Sequence, residues 1–345
     1  MSLAQQVLDG NRLALARLLT QVENDTLEGR AALNEVFPYT GEAHLIGVTG
    51  APGTGKSSLV NQLVRYFRQG EALPEDEGNR PRVAVVAVDP SSPFTGGAIL
   101  GDRVRMRDLS GDPGVFIRSM ASRGSLGGLA ATTAGIVQVL DAAGYRRILI
   151  ETVGAGQAEV EIARLAHTTL VVEAPGMGDD IQAIKAGIME IADILVVNKA
   201  DRPGAEATER ALRNMLQLAH PAPRIFRDQG RNHVTRFSEE EAGLSDGQVW
   251  IPPILRAVAT EGEGIPELAE AIGAHYRYLH ESGEWGRRER ARLKAELDLL
   301  LRDTLVTRWR SSLPEEQYQQ VLRSLAAREM SPRQAVRSLL DSKRD

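Results

Sequence analysis

The stretch GAPGTGKSS, residues 50–58, places Gly50, Gly55, Lys56 and Ser57 at the positions of a Gly-x4-Gly-Lys-[Ser/Thr] loop. In that pattern backbone N–H groups and a helix N-terminus converge on anionic oxygens, the lysine reaches the β- and γ-phosphates, and the hydroxyl after it ligates Mg²⁺. The flanks have the required shape. LIGVT (45–49) is a short apolar β-like run, and SLVNQLVRYF (58–67) carries Leu59, Leu63, Val64 and Phe67 at helical spacing. Strand, glycine loop and helix in that order predict a P-loop in which Gly50, Pro52, Gly53, Thr54, Gly55, Lys56, Ser57 and Ser58 surround a nucleotide's phosphates.

A second stretch decides between nucleotides. VVNKAD (196–201) is an apolar strand ending in Asn-Lys-x-Asp. The Asp201 carboxylate can accept from guanine N1–H and from its exocyclic amino group. Adenine offers neither donor there, and an unpaired buried carboxylate against it is costly. Asn198 braces the loop, and the Lys199 stem lies over the base. GTP is expected, not ATP.

A third element should bring an acidic residue to the metal. RRILIETVGAGQAE (146–159) runs an apolar strand into Glu151-Thr-Val-Gly154, where most GTPases carry Asp-x-x-Gly. Glutamate can still reach Mg²⁺ through a water, and the Gly154 N–H can bond the γ-phosphate. Ras-type enzymes position the attacking water with a glutamine directly after that glycine. Here Ala155 stands in its place and Gln157 comes two residues later, so slow intrinsic hydrolysis is expected. Asp89 ends VAVVAVD (83–89) as a direct or water-mediated Mg²⁺ carboxylate, and Asp102 is a candidate mobile switch residue.

These motifs need a scaffold. Strand-like runs at 45–49, 83–89, 114–119, 146–152, 168–174, 192–201 and 249–259 alternate with helical segments near 128–143, 180–190 and 204–219. The strand runs are continuous rather than alternating, which predicts a mostly parallel sheet buried between helices, an α/β fold. Residues 1–36 read as two helices. QGEALPEDEGNRP (69–81) reads as a surface loop, and 220–248 as an extended polar loop. Beyond residue 285, Leu293, Leu297, Leu300, Leu301, Leu305 and Trp309 form one stripe of a long helix, and two shorter helices begin near Pro314 and Pro332. The expected division is a helical N-terminal extension (1–40), a G domain (41–283) and a helical C-terminal arm (284–345). The arm either docks a partner, such as a second copy, or covers the core.

Composition narrows the function classes. The net charge of −5 gives no nucleic-acid or membrane surface, and the absence of cysteine removes disulfides, thiolate metal sites and a cysteine nucleophile. No apolar run approaches bilayer length, and the N-terminus lacks the form of a secretory signal, so a cytoplasmic protein is expected. The lysines are only Lys56, Lys185, Lys199, Lys294 and Lys343 in a chain that otherwise uses arginine, and two of them sit in the nucleotide motifs.

Taken with VDPSSPFTGGAILGD (88–102), ETVGAGQAE, APGMGDDIQAIKAGIMEIAD (174–193) and NKAD, the chain resembles the MeaB/ArgK family, the methylmalonic aciduria type A protein family. These are G-protein chaperones of adenosylcobalamin-dependent methylmalonyl-CoA mutase. The resemblance runs over essentially the whole chain. It implies a homodimeric, Mg²⁺-dependent GTPase, binding GTP and GDP, that gates cofactor loading of the mutase and protects it. It also implies that Lys56, Ser57, Asp89, Asp102 and Glu151 match positions around phosphate and Mg²⁺. By the same resemblance Asp179, Asp180, Gln182 and Lys185 lie in an additional switch, with Lys185 joining Lys56, Asp102 and Glu151 in the catalytic set. Ala259 and Thr260 lie in a loop closing over the base. Read without the resemblance, GMGDDIQAIK is a glycine-rich turn followed by an Asp-capped helix start.

Two rivals remain. A nickel-insertion GTPase would need a His/Cys cluster, whereas His44, His167, His220, His233, His275 and His280 are scattered along the chain. A nucleotide-dependent kinase of a transport system would need a positioned base and an acceptor pocket beyond these motifs.

Overall fold

The computed structural model describes residues 1–69, 80–90, 106–109, 111–122, 128–152, 162–176, 191–218 and 249–341. Seven strands form one sheet: β1 (His44–Thr49), β2 (Val83–Pro90), β3 (Val115–Ser122), β4 (Arg147–Thr152), β5 (Thr168–Glu173), β6 (Ile194–Asn198) and β7 (Ile254–Ala257), in the order β3-β2-β4-β1-β5-β6-β7. Every neighbouring pair is parallel. The expected parallel α/β fold is therefore the one observed. β1, β4, β5 and β6 are buried along their whole length, the reason their sequences run apolar without alternation.

Helices cover both faces. On one, α4 (Lys56–Gln69) buries Leu59, Val60, Leu63, Val64 and Phe67, and α7 (Ile265–Glu281) adds Leu268 and Ile272 to the same core. On the other lie α1 (Leu3–Leu8), α2 (Arg12–Glu23), α3 (Leu27–Val36) and α5 (Gly128–Ala142). α6 (Ala205–Leu218) packs beside β6. The N-terminal segment holds three helices where two were expected. Asn11 and Thr26 cap new starts, and Gly10 and Asp25, both at positive φ, turn the chain between them. The strand expected over 249–259 shrinks to four residues, because Pro252 and Pro253 have no N–H to give a ladder.

The chain divides into two compact units, Met1–Leu293 and Lys294–Asp345. The helix α8 (Glu284–Ser311) begins in the first. In the second, α9 (Glu315–Ala326) and α10 (Pro332–Asp341) bury Leu313, Val321, Ala335 and Leu339 in a small core of their own. Leu297, Leu300, Leu301 and Leu305 are exposed on α8. Among the described residues no helix is long and apolar enough to cross a membrane.

At the N-terminal edge of the sheet, histidines far apart in sequence meet. Thr168 Oγ1 lies 2.6 Å from His44 Nε2 and 2.8 Å from His275 Nδ1. His275 Nε2 is 3.4 Å from the buried Asp193 carboxylate, which also accepts the Thr169 N–H and the Arg288 guanidinium fork. His167 Nδ1 accepts the Leu45 N–H, so its proton sits on Nε2, facing Glu289 at 3.2 Å. Burial holds His44 well below the usual imidazole range and lowers His167 as well. Burial works against the charged form of Glu289 too, but the hydrogen bonds from His167 and Arg292 outweigh it and hold the carboxyl at about 2. The six histidines are scattered in sequence. Of the described ones His44, His167 and His275 are core, and among the described residues no cluster has the makings of a metal site.

Candidate nucleotide-binding site

β1, β2, β4 and β6 all end on the same edge of the sheet. From β1 the chain moves outward to β2 and β3, and from β4 it returns across β1 to β5, β6 and β7. The reversal opens a crevice at the carboxyl ends of the strands, where open α/β sheets bind ligands.

The loop between β1 and α4 fills that crevice. Gly50, Gly53 and Gly55 have φ of 139°, 81° and 92°, in the region that L side chains avoid. Space adds a second demand at two of them. A Cβ on Gly50 would stand 2.0 Å from the Val172 carbonyl oxygen, and one on Gly55 2.4 Å from Asn198 Nδ2. Thr54 is fully buried and donates its hydroxyl to the Ala51 carbonyl at 3.0 Å, closing the turn. Pro52, Gly53 and Ser58 are exposed, Ser58 in the first turn of α4. The Lys56 ammonium curls back to the Gly50 and Ala51 carbonyls at 2.7 and 2.9 Å, so its charge sits inside the cradle of the loop.

Ser57 and Glu151 meet across 94 residues of chain. The Ser57 hydroxyl donates to Glu151 Oε1 at 2.5 Å, and Glu151 is 5% exposed. The β1–β4 register sets this approach: Val48 pairs with Glu151, and β1 then turns into the loop. Two hard oxygen donors side by side beneath a phosphate cradle suit a small divalent cation of the Mg²⁺ type. β2 pairs Ala87 with Glu151 and reaches Asp89 two residues later, one residue past the last β2–β4 pair. Asp102, Gly154, Asp179, Asp180, Gln182 and Lys185 lie outside the described residues.

The other wall of the crevice is built by β6. Asn198 is 1% exposed; its amide donates to the Thr54 carbonyl at 2.8 Å, and its Oδ1 accepts the Ala259 N–H at 3.1 Å. One side chain thus joins the phosphate loop, the end of β6 and the turn after β7. Lys199 takes a left-handed φ of 56° and donates from Nζ to the Gly53 carbonyl at 2.6 Å, which draws its stem across the loop. Asp201 is exposed at the mouth. The 258–263 turn is closed by a Val258–Glu263 bridge, with Ala259 buried and Thr260 exposed. Gly264 must be glycine, since a Cβ there would lie 2.1 Å from the Arg256 carbonyl oxygen.

Sequence reasoning passed over one buried pair at this edge. Thr152 donates its hydroxyl to Thr49 at 3.3 Å, both side chains being essentially fully buried. Threonine is an ordinary strand residue, so neither position carries a signal until the strands are paired.

The geometry has counterparts. A family model described as methylmalonyl Co-A mutase-associated GTPase MeaB matches residues 15–313. The chain is similar to a Pyrococcus horikoshii protein named as a GTPase, at 41% identity over 98% of this chain and 96% of that one. It is also similar to the mitochondrial methylmalonic aciduria type A homolog of Caenorhabditis elegans, at 31% identity over 85% of this chain and 69% of that one. Among solved structures it is similar to one named LAO/AO transport system kinase, with a TM-score of 0.66 and 26% identity, covering 99% of this chain and 97% of the other.

Proposed function

Because the chain belongs to the MeaB family of methylmalonyl Co-A mutase-associated P-loop GTPases, we propose that it is the GTP-driven gatekeeper of an adenosylcobalamin-dependent acyl-CoA mutase, methylmalonyl-CoA mutase first among them. GTP hydrolysis to GDP and phosphate is the family's reaction; the client is the proposed part. The observation that carries the nucleotide half of this reading is Asn198, which fastens the guanine-reading strand end to the phosphate loop. The mutase half is supported by the family's description and by the worm relative.

In the mechanism proposed, the backbone N–H groups of 53–57 and the Lys56 ammonium hold the β- and γ-phosphates, while Asp201 accepts guanine's N1–H and amino protons. Ser57 and Glu151, with Asp89 and Asp102, hold Mg²⁺, which when bound neutralises charge on the phosphate oxygens. Gly154 and the Asp179, Asp180, Gln182 and Lys185 segment respond to the γ-phosphate and pass the nucleotide state to the mutase. Ala259 and Thr260 border the base. Residues 284–345 join two protomers, a role supported by the exposed leucines of α8.

The test is the steady-state GTPase rate of the purified protein, alone and with adenosylcobalamin-dependent methylmalonyl-CoA mutase, with ATP as control. Stimulation by the mutase for GTP alone is the expected result. Guanine selectivity without stimulation removes this client. Phosphate appearing on a protein or amino acid, rather than free, would favour a kinase, as the solved relative is named.

A further inference from the structure

The β1–β4 ladder pairs His44 with Arg147 through to Val48 with Glu151. One step further the register sets Thr49 opposite Thr152, and there the two strands are joined through side chains, Thr152 Oγ1 donating to Thr49 Oγ1 at 3.3 Å. Alternation along the strands puts this pair on the opposite face of the sheet from Glu151 and Val48. Glu151 faces the phosphate loop, where it takes the Ser57 hydroxyl at 2.5 Å. The residue after Thr49 is Gly50, where a Cβ would stand 2.0 Å from the Val172 carbonyl oxygen, so only glycine fits at the root of the loop.

The separation of Ser57 and Glu151 is therefore fixed by how closely the ends of β1 and β4 are held, one residue before each strand leaves the sheet. Thr49 and Thr152 are 0% and 1% exposed. Buried hydroxyls are costly unless bonded, and valine fills the same shape without that demand. The pair spans the two strand ends that carry the cation-binding oxygens.

We propose that Thr49 and Thr152 form a positioning clasp. Their hydrogen bond holds the end of β4 against the root of the phosphate loop and so sets the spacing of the Ser57 and Glu151 oxygens for Mg²⁺. The inference rests on the reading of Ser57 and Glu151 as Mg²⁺ ligands. Neither threonine touches nucleotide or cation; both act through Glu151.

The experiment follows release of a fluorescent GDP analogue from the full-length protein while Mg²⁺ is titrated, with a thermal melt of each variant. The variants are Thr152→Val, Thr152→Ser and the double Thr49→Val/Thr152→Val. Expected for Thr152→Val is a rise of about tenfold in the Mg²⁺ concentration that half-slows release, in the range seen when groups orienting a metal ligand are removed. Thr152→Ser keeps the hydroxyl and returns the titration to wild type. The double variant leaves no hydroxyl unpaired and melts near wild type, yet keeps the Mg²⁺ shift. A double variant that titrates like wild type overturns the clasp and leaves only a packing role. If release from the wild type itself ignores Mg²⁺, the ligand reading of Ser57 and Glu151 fails instead, and the clasp with it.

Discussion

Replacing Asn198 by alanine should destabilise the protein before any nucleotide is added. The side chain makes two good hydrogen bonds, to the Thr54 carbonyl at 2.8 Å and from the Ala259 N–H at 3.1 Å, at a site 1% exposed. Alanine leaves a buried carbonyl and a buried N–H without this partner. At about 1–3 kcal/mol for each orphaned group, the loss is about 3 kcal/mol once partial relaxation is allowed for. For a domain of this size each kcal/mol lowers the melting point by about 2 °C, so the nucleotide-free protein should melt about 6 °C lower. Asn198→Asp should be at least as damaging. It can still accept from Ala259, but it sets a carboxylate against the Thr54 and Gly55 carbonyls. The assay is a thermal melt by circular dichroism on extensively dialysed protein, repeated with saturating GDP. A drop below about 2 °C without nucleotide, alongside lost GDP binding, would refute the reasoning. Asn198 would then serve the ligand alone and not the junction of loop, strand and turn.

Other outcomes follow from the same geometry. On the guanine reading of Asp201, Asp201→Asn discharges the acceptor and sets an amide N–H against one guanine donor, worth about 3 kcal/mol, so GDP affinity by calorimetry should fall roughly a hundredfold with the fold intact. Gly55→Ala meets both a φ of 92° and the Asn198 amide; nucleotide binding should be lost while far-UV circular dichroism is kept. Acid should unfold the protein in two overlapping stages. His167 has a lowered value, so stability present above its unfolded value of 6.5 declines as pH falls below it. Glu289, held at about 2, adds stability above its ordinary 4.5 that is lost as pH falls from there toward 2. Melts between pH 7 and 3 should show both, and Glu289→Gln should flatten the lower stage.

The nucleotide motifs were legible because backbone physics fixes their spacing. Glycines at 50, 53 and 55 are demanded by dihedral angles, and Lys56, Ser57 and Asn198 meet the Gly50 carbonyl, Glu151 and the Thr54 carbonyl. Strands buried on both faces were legible from unbroken apolar runs such as LVVE and ILVVN. What sequence hid was contact across the sheet. Thr152 meets Thr49 over 103 residues and His275 meets Thr168 over 107, and no local pattern announces a partner that distant. The third N-terminal helix was missed for a different reason: apolar residues continue at helical spacing past the turns at Gly10 and Asp25, so periodicity does not mark every turn that the backbone makes.

The N-terminal helices have a consequence beyond packing. β3 is an outer strand of eight residues, long enough to template another chain if its rim were bare. Arg12 instead donates to the Pro113 and Val115 carbonyls, and Arg118 reaches back to the Glu23 carboxylate and the Thr20 hydroxyl. α2 thus lies as a guard rail along part of that rim. A chain clipped before residue 27 would lose core and rail together, and its failure should be self-association through exposed strand edges, seen as light scattering that rises with protein concentration.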